Sequence, residues 1–240
     1  MTWVPRLVKR FISEHFPLLY HLTVNVGNSG NSAAHWDRRL EQTWDNPGRH
    51  WPTKNELIAS LTDPSDVILD IGCGNGSILR DLKARGYGKL HGLEISEYAI
   101  QRLRGEGIEM HVGVLPSIAL PDATFDVVIA SQVLEHIIRR RRFLSEIRRV
   151  LKPGGRALIF VPDNCMGPIS EPEHVIKYDS RTLRSLMQAH FSIVALTSIR
   201  DKNHEMPVLF AHVTTSGLRG RVRDPQPSRR LSAHDATERK

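Results

Sequence analysis

Three glycines at alternate positions constrain the fold of this chain more than any other feature of its sequence. In "DIGCGNGSILRDL", residues 70–82, Gly72, Gly74 and Gly76 lie between a run of branched apolar residues and a segment with helical periodicity. A glycine turn between an apolar strand and a helix is typical of the first βαβ unit of an open α/β sheet, where the loop approaches a ligand closely. Phosphate, dinucleotide and sulfonium ligands all use such loops.

The segments downstream repeat the alternation of short apolar strands with helical stretches. Strands in "DVILDIG", "KLHGLEIS", "IEMHVG", "FDVVIASQ" and "RALIFVP" alternate with helices in "GSILRDLKARG", "SEYAIQRLRGEG" and "RRRRFLSEIRRVLKPGG". This alternation predicts βαβ units and a parallel sheet. After a loop rich in Pro and Gly and a helix in "SRTLRSLMQAHF", two closely spaced strands, "SIVALTSI" and "PVLFAHVTT", predict an antiparallel pair at the sheet edge.

The predicted organisation has three parts. Residues 1–50 form an N-terminal helical segment that begins with a basic amphipathic helix, from Trp3 to Ile12. Such a helix packs on the domain as a lid or lies on a membrane surface, and packing is the commoner case. Residues 51–215 form the α/β domain. Residues 216–240, with almost nothing apolar to bury, form a disordered basic tail.

Charge and cysteine content restrict the compartment and the partners. Of the net charge of +7, residues 1–30 carry +2 and residues 216–240 carry +4, so the rest of the chain is nearly neutral. A neutral domain argues against nucleic acid as a partner. Two widely separated cysteines and the lack of a long apolar run predict a cytoplasmic chain without a transmembrane helix. The basic ends leave peripheral membrane contact open.

Residues around the loop narrow the choice of ligand. A P-loop ends in Gly-Lys-Ser/Thr, and no lysine follows Gly76. The dinucleotide fingerprint places its third glycine where this chain has Ser77. Glu94 ends the second strand 22 residues after Gly72, where a carboxylate can accept the hydroxyls of an adenosine ribose. These features favour a ligand with an adenosine group and leave its identity open.

Four blocks, in this order, resemble one family. They are "VILDIGCGNGSIL", "LHGLEIS", "LPDATFDVVIASQVLEHI" and "LSEIRRVLKPGGRALIFVP", within residues 55–162. They are similar to the class I S-adenosylmethionine-dependent methyltransferases, and within these to the small-molecule group with the ubiquinone and menaquinone biosynthesis enzymes. The resemblance implies a Rossmann-like, seven-stranded, mostly parallel sheet with an antiparallel last strand, helices on both faces and an N-terminal helical lid. It also implies methyl transfer from S-adenosyl-L-methionine to an oxygen or nitrogen of a small-molecule or lipid-linked acceptor.

The resemblance also implies roles for residues of the cofactor site. Asp70 would face the ammonium group of the cofactor, Glu94 would hold the ribose, and Ile95 would pack on the adenine. The chain departs from the family at Val114, where relatives carry an acid that accepts from the adenine amino group, so we expect weaker binding. The predicted cofactor-binding residues are Asp70, Gly72, Cys73, Gly74, Gly76, Glu94, Ile95, Val114, Leu115 and Ser131.

An acceptor hydroxyl benefits from a base, and the segment after the fourth strand offers candidates. His136 is the first, and Glu135 orients it or contacts the acceptor; a purely structural role is the alternative for His136. His174 and Tyr178, in the loop after the fifth strand, are the second candidates. The sequence shows no cluster of metal ligands, so we predict no metal. The predicted catalytic residues are His136, Glu135 and His174.

Other interpretations stay open at this point. Only Val114 favours a protein that binds the cofactor without catalysing transfer. The position of the third glycine argues against a nicotinamide-dependent oxidoreductase. The run Arg139–Arg142 opens a helix, where cations are disfavoured by the helix dipole, and suits either an anionic acceptor or a solvated face.

Overall fold

The structure, a computed structural model, describes residues 31–163, 174, 176–200 and 207–215, together with Val8, Phe11, Ile12, His15 and Phe16. Most of the predicted amphipathic helix, most of the loop after the fifth strand and the whole predicted tail lie outside the described residues. Within the described ranges, no helix combines the length and the apolar character that crossing a membrane requires. The predicted division of the chain into three parts, at residues 50 and 215, stays a prediction.

The described residues form seven strands and six α-helices. The strands are β1 Ile68–Ile71, β2 Leu90–Glu94, β3 Glu109–Val112, β4 Phe125–Ser131, β5 Leu151–Pro162, β6 Ser192–Ile199 and β7 Val208–Thr214. The helices are α1 Ala33–Thr43, α2 Pro52–Ser60, α3 Ser77–Ala84, α4 Glu97–Gly105, α5 Arg140–Val150 and α6 Ser180–Gln188. Short 3-10 turns occur at Pro47–Arg49 and Leu134–His136.

The strands form one sheet with the order β3-β2-β1-β4-β5-β7-β6. Strands β1 to β5 are parallel to one another, whereas β7 is antiparallel to both of its neighbours, β5 and β6. This confirms the predicted Rossmann-like sheet with an antiparallel last strand. The strand order reverses between β1 and β4, which is where open α/β sheets bind their ligands.

Apolar residues cover both faces of the sheet. The central strand β1 is buried over its whole length, as expected for a parallel strand with helices on both sides. On one face, Phe143 of α5 and Leu183 of α6 join the core, and on the other Leu79 of α3 and Ile100 of α4 do so. The prediction of helices on both faces is therefore confirmed.

The boundary between α5 and β5 differs from the prediction. The helix was expected to continue through "LKPGG", but it ends at Val150, and these residues already belong to β5. Pro153 disfavours the helical conformation at the residue before it, and Gly154 has a positive φ of 82°. Leu151 is buried and pairs with Phe125, so sheet pairing begins directly after the helix.

Gly76 fixes the start of α3. It precedes the helix with a φ of 75°, a conformation that favours glycine. A Cβ atom at this position would also overlap the side chain of Leu103 in α4. The third glycine of the loop therefore permits close packing of two helices, and it does not itself line the ligand cleft described next.

Candidate active site

A cavity of about 590 Å³ lies at the carboxyl ends of β1, β2 and β4. Its size lies within the range of about 300–1,000 Å³ that small-molecule sites occupy. The predicted site residues that line it are Gly72, Cys73, Gly74, Glu94, Ile95, Val114, Leu115, Ser131, His136 and His174. Asp70 and Glu135 are buried and, like Gly76, are not among the lining residues. We call the side with residues 70–96 the cofactor half, and the side with Lys54, residues 131–136 and His174 the acceptor half.

Glu94 ties the glycine loop to the turn after β2. Its Oε2 accepts a hydrogen bond from the backbone N–H of Gly74 at 2.9 Å. Its Oε1 accepts from the N–H groups of Ile95, at 2.8 Å, and Ser96, at 3.1 Å. A carboxylate offers about four acceptor positions, so one remains on Oε2 for a ligand hydroxyl. A second ribose hydroxyl would have to replace the Gly74 N–H.

Asp70 offers a buried acceptor beneath the loop. Its Oδ2 has no hydrogen-bond partner among the described residues. Burial raises the pKa of Asp70 to about 7, and Glu94 adds to the rise, whereas the positive charge of Lys54 opposes it. A ligand amino group would supply both the missing donor and a compensating charge.

The residues of the cofactor half fit S-adenosylmethionine. Gly74, with a φ of 56°, opens to the cleft, because a Cβ there would meet only Arg49 and Leu40, both at 3.8 Å. Backbone groups of the loop are therefore accessible to a ligand. Asp70 provides an acceptor for the amino group, and Glu94 provides one for a ribose hydroxyl.

The adenine end of the cleft lacks a carboxylate at the expected position. Val114 lines the cavity and is 66% exposed, and Leu115 lines it beside Val114. These side chains can pack on a base but cannot accept a hydrogen bond from its amino group. The geometry at Val114 therefore agrees with the departure noted in the sequence.

Lys54 is a site residue that the sequence analysis missed. This buried lysine of α2 donates from Nζ to the hydroxyl of Ser131, at 2.8 Å, and its Nζ lies 4.7 Å from the centre of the Trp51 ring. Its charge lowers the pKa of both Asp70 and Glu135, against the larger effect of burial. No motif surrounds Lys54 in the sequence, and only the fold shows that it faces the end of β4.

The N-terminal segment forms one wall of the cleft. Trp36 and Arg39 of α1, together with Arg49 and Trp51, line the cavity. Trp44 does not: it is buried against Tyr98 and anchors the segment. Trp36 and Trp51 thus face the cavity, whereas Trp44 holds the segment on the domain.

Asp37 holds this wall in place. Its Oδ1 accepts hydrogen bonds from the hydroxyl of Ser96, at 2.6 Å, and from the N–H of Tyr98, at 3.2 Å. Both donors belong to the turn and helix that follow β2, so α1 is attached next to Glu94. The sequence analysis did not single out Asp37, because its partners lie 59 and 61 residues away.

His136 and His174 meet at the acceptor half. Their rings are 4.9 Å apart, edge to face, and the ring of Trp36 packs on His136 at 5.5 Å. Glu135 is fully buried, and neither of its oxygens has a hydrogen-bond partner among the described residues. Burial raises the pKa of Glu135 to about 8. The structure therefore shows no Glu135–His136 hydrogen bond of the kind that the sequence analysis expected to orient the base.

Tyr178 was wrongly considered as a base. It is buried, and its hydroxyl donates to the carbonyl oxygen of Leu134 at 3.4 Å. Burial raises the pKa of this phenol well above its usual value. Tyr178 does not line the cavity, so its position indicates that it supports the 3-10 turn carrying His136.

The described residues contain two sets of side chains with metal-binding chemistry. One comprises Glu135, His136 and His174 in the acceptor half, and the other comprises His91, Glu109 and His111 on β2 and β3. Neither set is visible in the sequence, because the members of each come from different segments. Only strand pairing and loop placement bring them together.

The fold and the cleft define an α/β protein with a ligand-sized cavity at the switch point of its sheet. Residues 69–159 match the family model described as "Methyltransferase domain". These residues therefore form a methyltransferase domain, which confirms the resemblance to the class I S-adenosylmethionine-dependent methyltransferases found in the sequence.

Relatives of known name match this chain over about 100 residues, a length similar to that of the family match. The chain is 37% identical over 98 residues to a protein of Mycolicibacterium smegmatis named "Probable S-adenosylmethionine-dependent methyltransferase", covering 40% of this chain and 38% of that protein. It is 36% identical over 103 residues to the demethylmenaquinone methyltransferase of Symbiobacterium thermophilum, covering 39% of this chain and 41% of that enzyme. The matches thus span about two fifths of these relatives. Neither match is long enough to include both Lys54 and His174, which are the first and last residues of the acceptor half along the chain.

Solved structures share the fold. A methyltransferase of Haloferax volcanii, in complex with the Trm112 methyltransferase activator, superposes with a TM-score of 0.65 at 21% identity. The match covers 75% of this chain and 95% of that one. At this identity the likeness concerns the fold alone, and it agrees with the sheet order described above.

Proposed function

We propose that this protein transfers a methyl group from S-adenosyl-L-methionine to an oxygen or nitrogen of a small-molecule or lipid-linked acceptor. The observation that carries the proposal is the shared cleft, in which Glu94 and the open loop at Gly74 line one side and His136 and His174 line the other. A donor site and a candidate base thus face one cavity, as transfer between two bound molecules requires.

The chain's own residues would bind, align and exclude water. When bound, the cofactor supplies an electrophilic methyl carbon on a positively charged sulfur. Asp70 accepts from the amino group, Glu94 accepts from the ribose, and Ile95 packs on the base. Alignment of the acceptor contributes most to a displacement of this kind, because the leaving group needs no further activation.

His136 would act on the acceptor. It lies at the cleft surface, with its ring held by Trp36 and His174. A neutral imidazole here takes the proton of an acceptor hydroxyl as the oxygen attacks. Trp36 and Trp51 cover the same side of the cavity and suit an acceptor with a flat apolar part.

The two arginines of the N-terminal wall support an anionic group in the cleft. The Nη1 atom of Arg49 lies 3.8 Å from the position that a Cβ of Gly74 would take, so this cation is next to the loop. It suits the carboxylate of the cofactor's methionine half. Arg39 lies on the same wall and suits a negative charge on the acceptor.

The proposal also includes the predicted amphipathic helix, its contact with a membrane, and the predicted basic tail. Residues 3–12 would form the amphipathic helix that brings the cleft close to lipid-linked acceptors, and residues 216–240 would add a basic tail. No nucleic acid is expected as a partner, because the central part of the chain is nearly neutral.

A protein that binds the cofactor without transfer is the second candidate. Val114 favours it, because the adenine end lacks a charge-assisted hydrogen bond. The intact pair of carboxyl groups, Asp70 and Glu94, argues the other way.

Calorimetric titration and a transfer assay test the proposal together. We expect micromolar binding of S-adenosylmethionine and S-adenosylhomocysteine, no binding of NAD, and transfer of a labelled methyl group to a component of lipid, quinone or small-molecule extracts. Binding without transfer to any pool would favour the second candidate. Binding of NAD alone would contradict the proposal.

Two variants separate the halves of the cleft. His136→Ala should leave cofactor affinity unchanged and slow the transfer, whereas His190→Ala, a histidine at the end of α6 that does not line the cleft, should leave both unchanged. Unchanged turnover in His136→Ala would exclude His136 as the base.

A further inference from the structure

A second group of polar side chains lies on the sheet outside the cleft. His91 is the second residue of β2, and Glu109 and His111 are the first and third residues of β3. In the parallel pairing of these strands His91 lies beside Glu109, so all three side chains project from one face. None of the three lines the cavity, which opens at the other ends of these strands.

The three side chains converge on a common point. His91 Nδ1 lies 3.3 Å from His111 Nε2 and 3.4 Å from one oxygen of Glu109, and His111 Nε2 lies 3.6 Å from the other oxygen. Two nitrogen ligands of a tetrahedral zinc ion, each bonded at about 2.0–2.1 Å, are about 3.3–3.4 Å apart. The distance between the two imidazole nitrogens thus equals the edge of such a coordination sphere.

Packing holds the imidazoles in this arrangement before any ion is bound. The ring of His91 packs edge-on against the buried Phe125, with 5.3 Å between ring centres. The rings of His91 and His111 are nearly parallel, at 11°. Both histidines are largely buried, whereas the side chain of Glu109 is 64% exposed. The site is therefore rigid on the protein side and open to solvent on the other.

We propose that His91, Glu109 and His111 bind a divalent transition-metal ion, for which Zn²⁺ fits best, at a site separate from the cleft. Two imidazoles select zinc, nickel, cobalt or copper rather than magnesium or calcium, which prefer oxygen ligands. Three protein ligands leave one position for water. Arg104 places a positive charge near these ligands, because its guanidinium donates a hydrogen bond to the carbonyl oxygen of Met110, next to His111. The negative charge of Glu109 offsets the charge of Arg104.

The ion would join an edge strand to the sheet. Strand β3 is the outermost strand on its side and pairs only with β2 in the described sheet. Its four residues make it the shorter partner of β2. An ion held by one ligand from β2 and two from β3 would fasten the two strands at the ends opposite the cleft. Because only the folded chain brings the ligands together, bound metal raises the melting temperature.

Cobalt titration of the full chain, prepared without a histidine tag, tests the site. Co²⁺ in a tetrahedral site gives a strong visible absorption, and Zn²⁺ displaces it. We expect one equivalent of such absorption, and a Zn²⁺ affinity that falls about tenfold or more in His91→Asn and in Glu109→Gln. Because Glu109 is mostly exposed, we expect Glu109→Gln to fold. If His91→Asn does not fold, the test rests on Glu109→Gln. Melting curves without metal check that each variant folds.

His174→Asn is the matched control, because it removes a ligand from the other histidine and carboxylate set in the acceptor half. We expect the cobalt spectrum and the rise in melting temperature with Zn²⁺ to persist in this variant. Loss of both in His174→Asn, or their persistence in His91→Asn and Glu109→Gln, would overturn the proposal. The absence of metal binding by the unmodified chain would do the same. None of these measurements depends on methyl transfer.

Discussion

The cofactor half of the cleft comes from one continuous stretch of chain, residues 70–96, whereas the acceptor half is assembled from α2, the end of β4 and the chain around His174. Their hydrogen bonding differs as well. The carboxylate of Glu94 accepts three backbone N–H groups, but neither oxygen of Glu135 has a partner among the described residues. Backbone groups thus hold the carboxylate of Glu94, whereas the nearby charge of Lys54 opposes the effect of burial on the pKa of Glu135.

This difference indicates how each half meets its ligand. A carboxylate fixed by backbone amides presents the same acceptor geometry with or without a ligand, so the cofactor half is preorganised. Burial instead raises the pKa of Asp70 to about 7 and that of Glu135 to about 8, because each has at least one carboxyl oxygen without a hydrogen-bond partner among the described residues. Asp70 lies where the two halves meet, because it belongs to β1 and interacts with Lys54 of α2.

Glu94→Ala should have the largest effect on ligand binding. The substitution leaves three N–H groups without their acceptor and removes the ribose ligand, so we expect S-adenosylhomocysteine to bind about a hundredfold more weakly, or about 2.7 kcal/mol. Calorimetric titration measures this. Glu97→Ala removes an exposed carboxylate three residues away and should bind normally. Equal affinity in Glu94→Ala and the unmodified protein would contradict the assignment of Glu94.

Glu135→Gln tests the uncompensated carboxyl group of the acceptor half. The pKa of Glu135 is raised to about 8 in the fold, so its contribution to stability is complete below about pH 4 and is lost as the pH rises through 8. Glutamine does not titrate. The free energy of unfolding of Glu135→Gln, relative to the unmodified protein, should therefore increase by about 4 kcal/mol between pH 5 and pH 9. Urea unfolding at both pH values measures the difference.

The matched control is Glu146→Gln, because the pKa of Glu146 is shifted in the opposite direction, below its usual value. Hydrogen bonds from Arg149 lower the pKa of Glu146, so its stabilising contribution is present above about pH 4 and is lost in acid. Its substitution should lower stability by the same amount at pH 5 and pH 9. A constant difference for Glu135→Gln would contradict the burial of an ionisable group there.

Asp70→Asn should change how cofactor affinity depends on pH. The pKa of Asp70 is about 7 in the free protein, and a ligand ammonium favours the ionised form, so binding releases a proton. We expect affinity for S-adenosylhomocysteine to rise about tenfold from pH 5.5 to pH 7 in the unmodified protein. Asp70→Asn should show a flat profile. The same slope in both proteins would exclude Asp70 as the ligand of the amino group.

Val114→Asp should have the smallest effect and improve binding. An acid at this exposed position would accept from the adenine amino group, which we expect to tighten S-adenosylmethionine binding about threefold. Val112→Asp, at an exposed position two residues earlier that does not line the cavity, controls for added negative charge. Equal gains in both variants would indicate a general charge effect and no contact with the adenine.

The predicted residues of the cofactor half come together in the structure because its parts are local. The glycine loop, Glu94 and Ile95 all lie within one βαβ unit, whose geometry follows from the order of strand, turn and helix. The sheet order and the antiparallel last strand followed from the family resemblance and the alternation of segments. The end of α5 was misplaced, because the buried pairing of Leu151 with Phe125 takes precedence over helical periodicity.

The acceptor half was predicted less well, because its contacts join segments far apart. Lys54 lies 77 residues from Ser131, and nothing in its neighbourhood marks it as a buried cation. Tyr178 looked like a base in the sequence, but burial and the carbonyl of Leu134 make it structural. The pairing of His91 with Glu109 depends on strand register, which a single sequence does not reveal.

Ser96 connects the cofactor half of the cleft with the N-terminal segment that forms its wall. Its N–H donates to Glu94, its hydroxyl donates to Asp37 of α1, and the same hydroxyl accepts from Ala99 at the start of α4. Its carbonyl oxygen accepts from the N–H of Ile100 at 3.1 Å, so every polar group of this buried residue has a partner. The carboxylate of Glu94 and helix α1 are therefore linked through a single residue. Any movement of α1 away from the cleft would break the hydrogen bonds of Asp37 and disturb the turn that also holds Glu94.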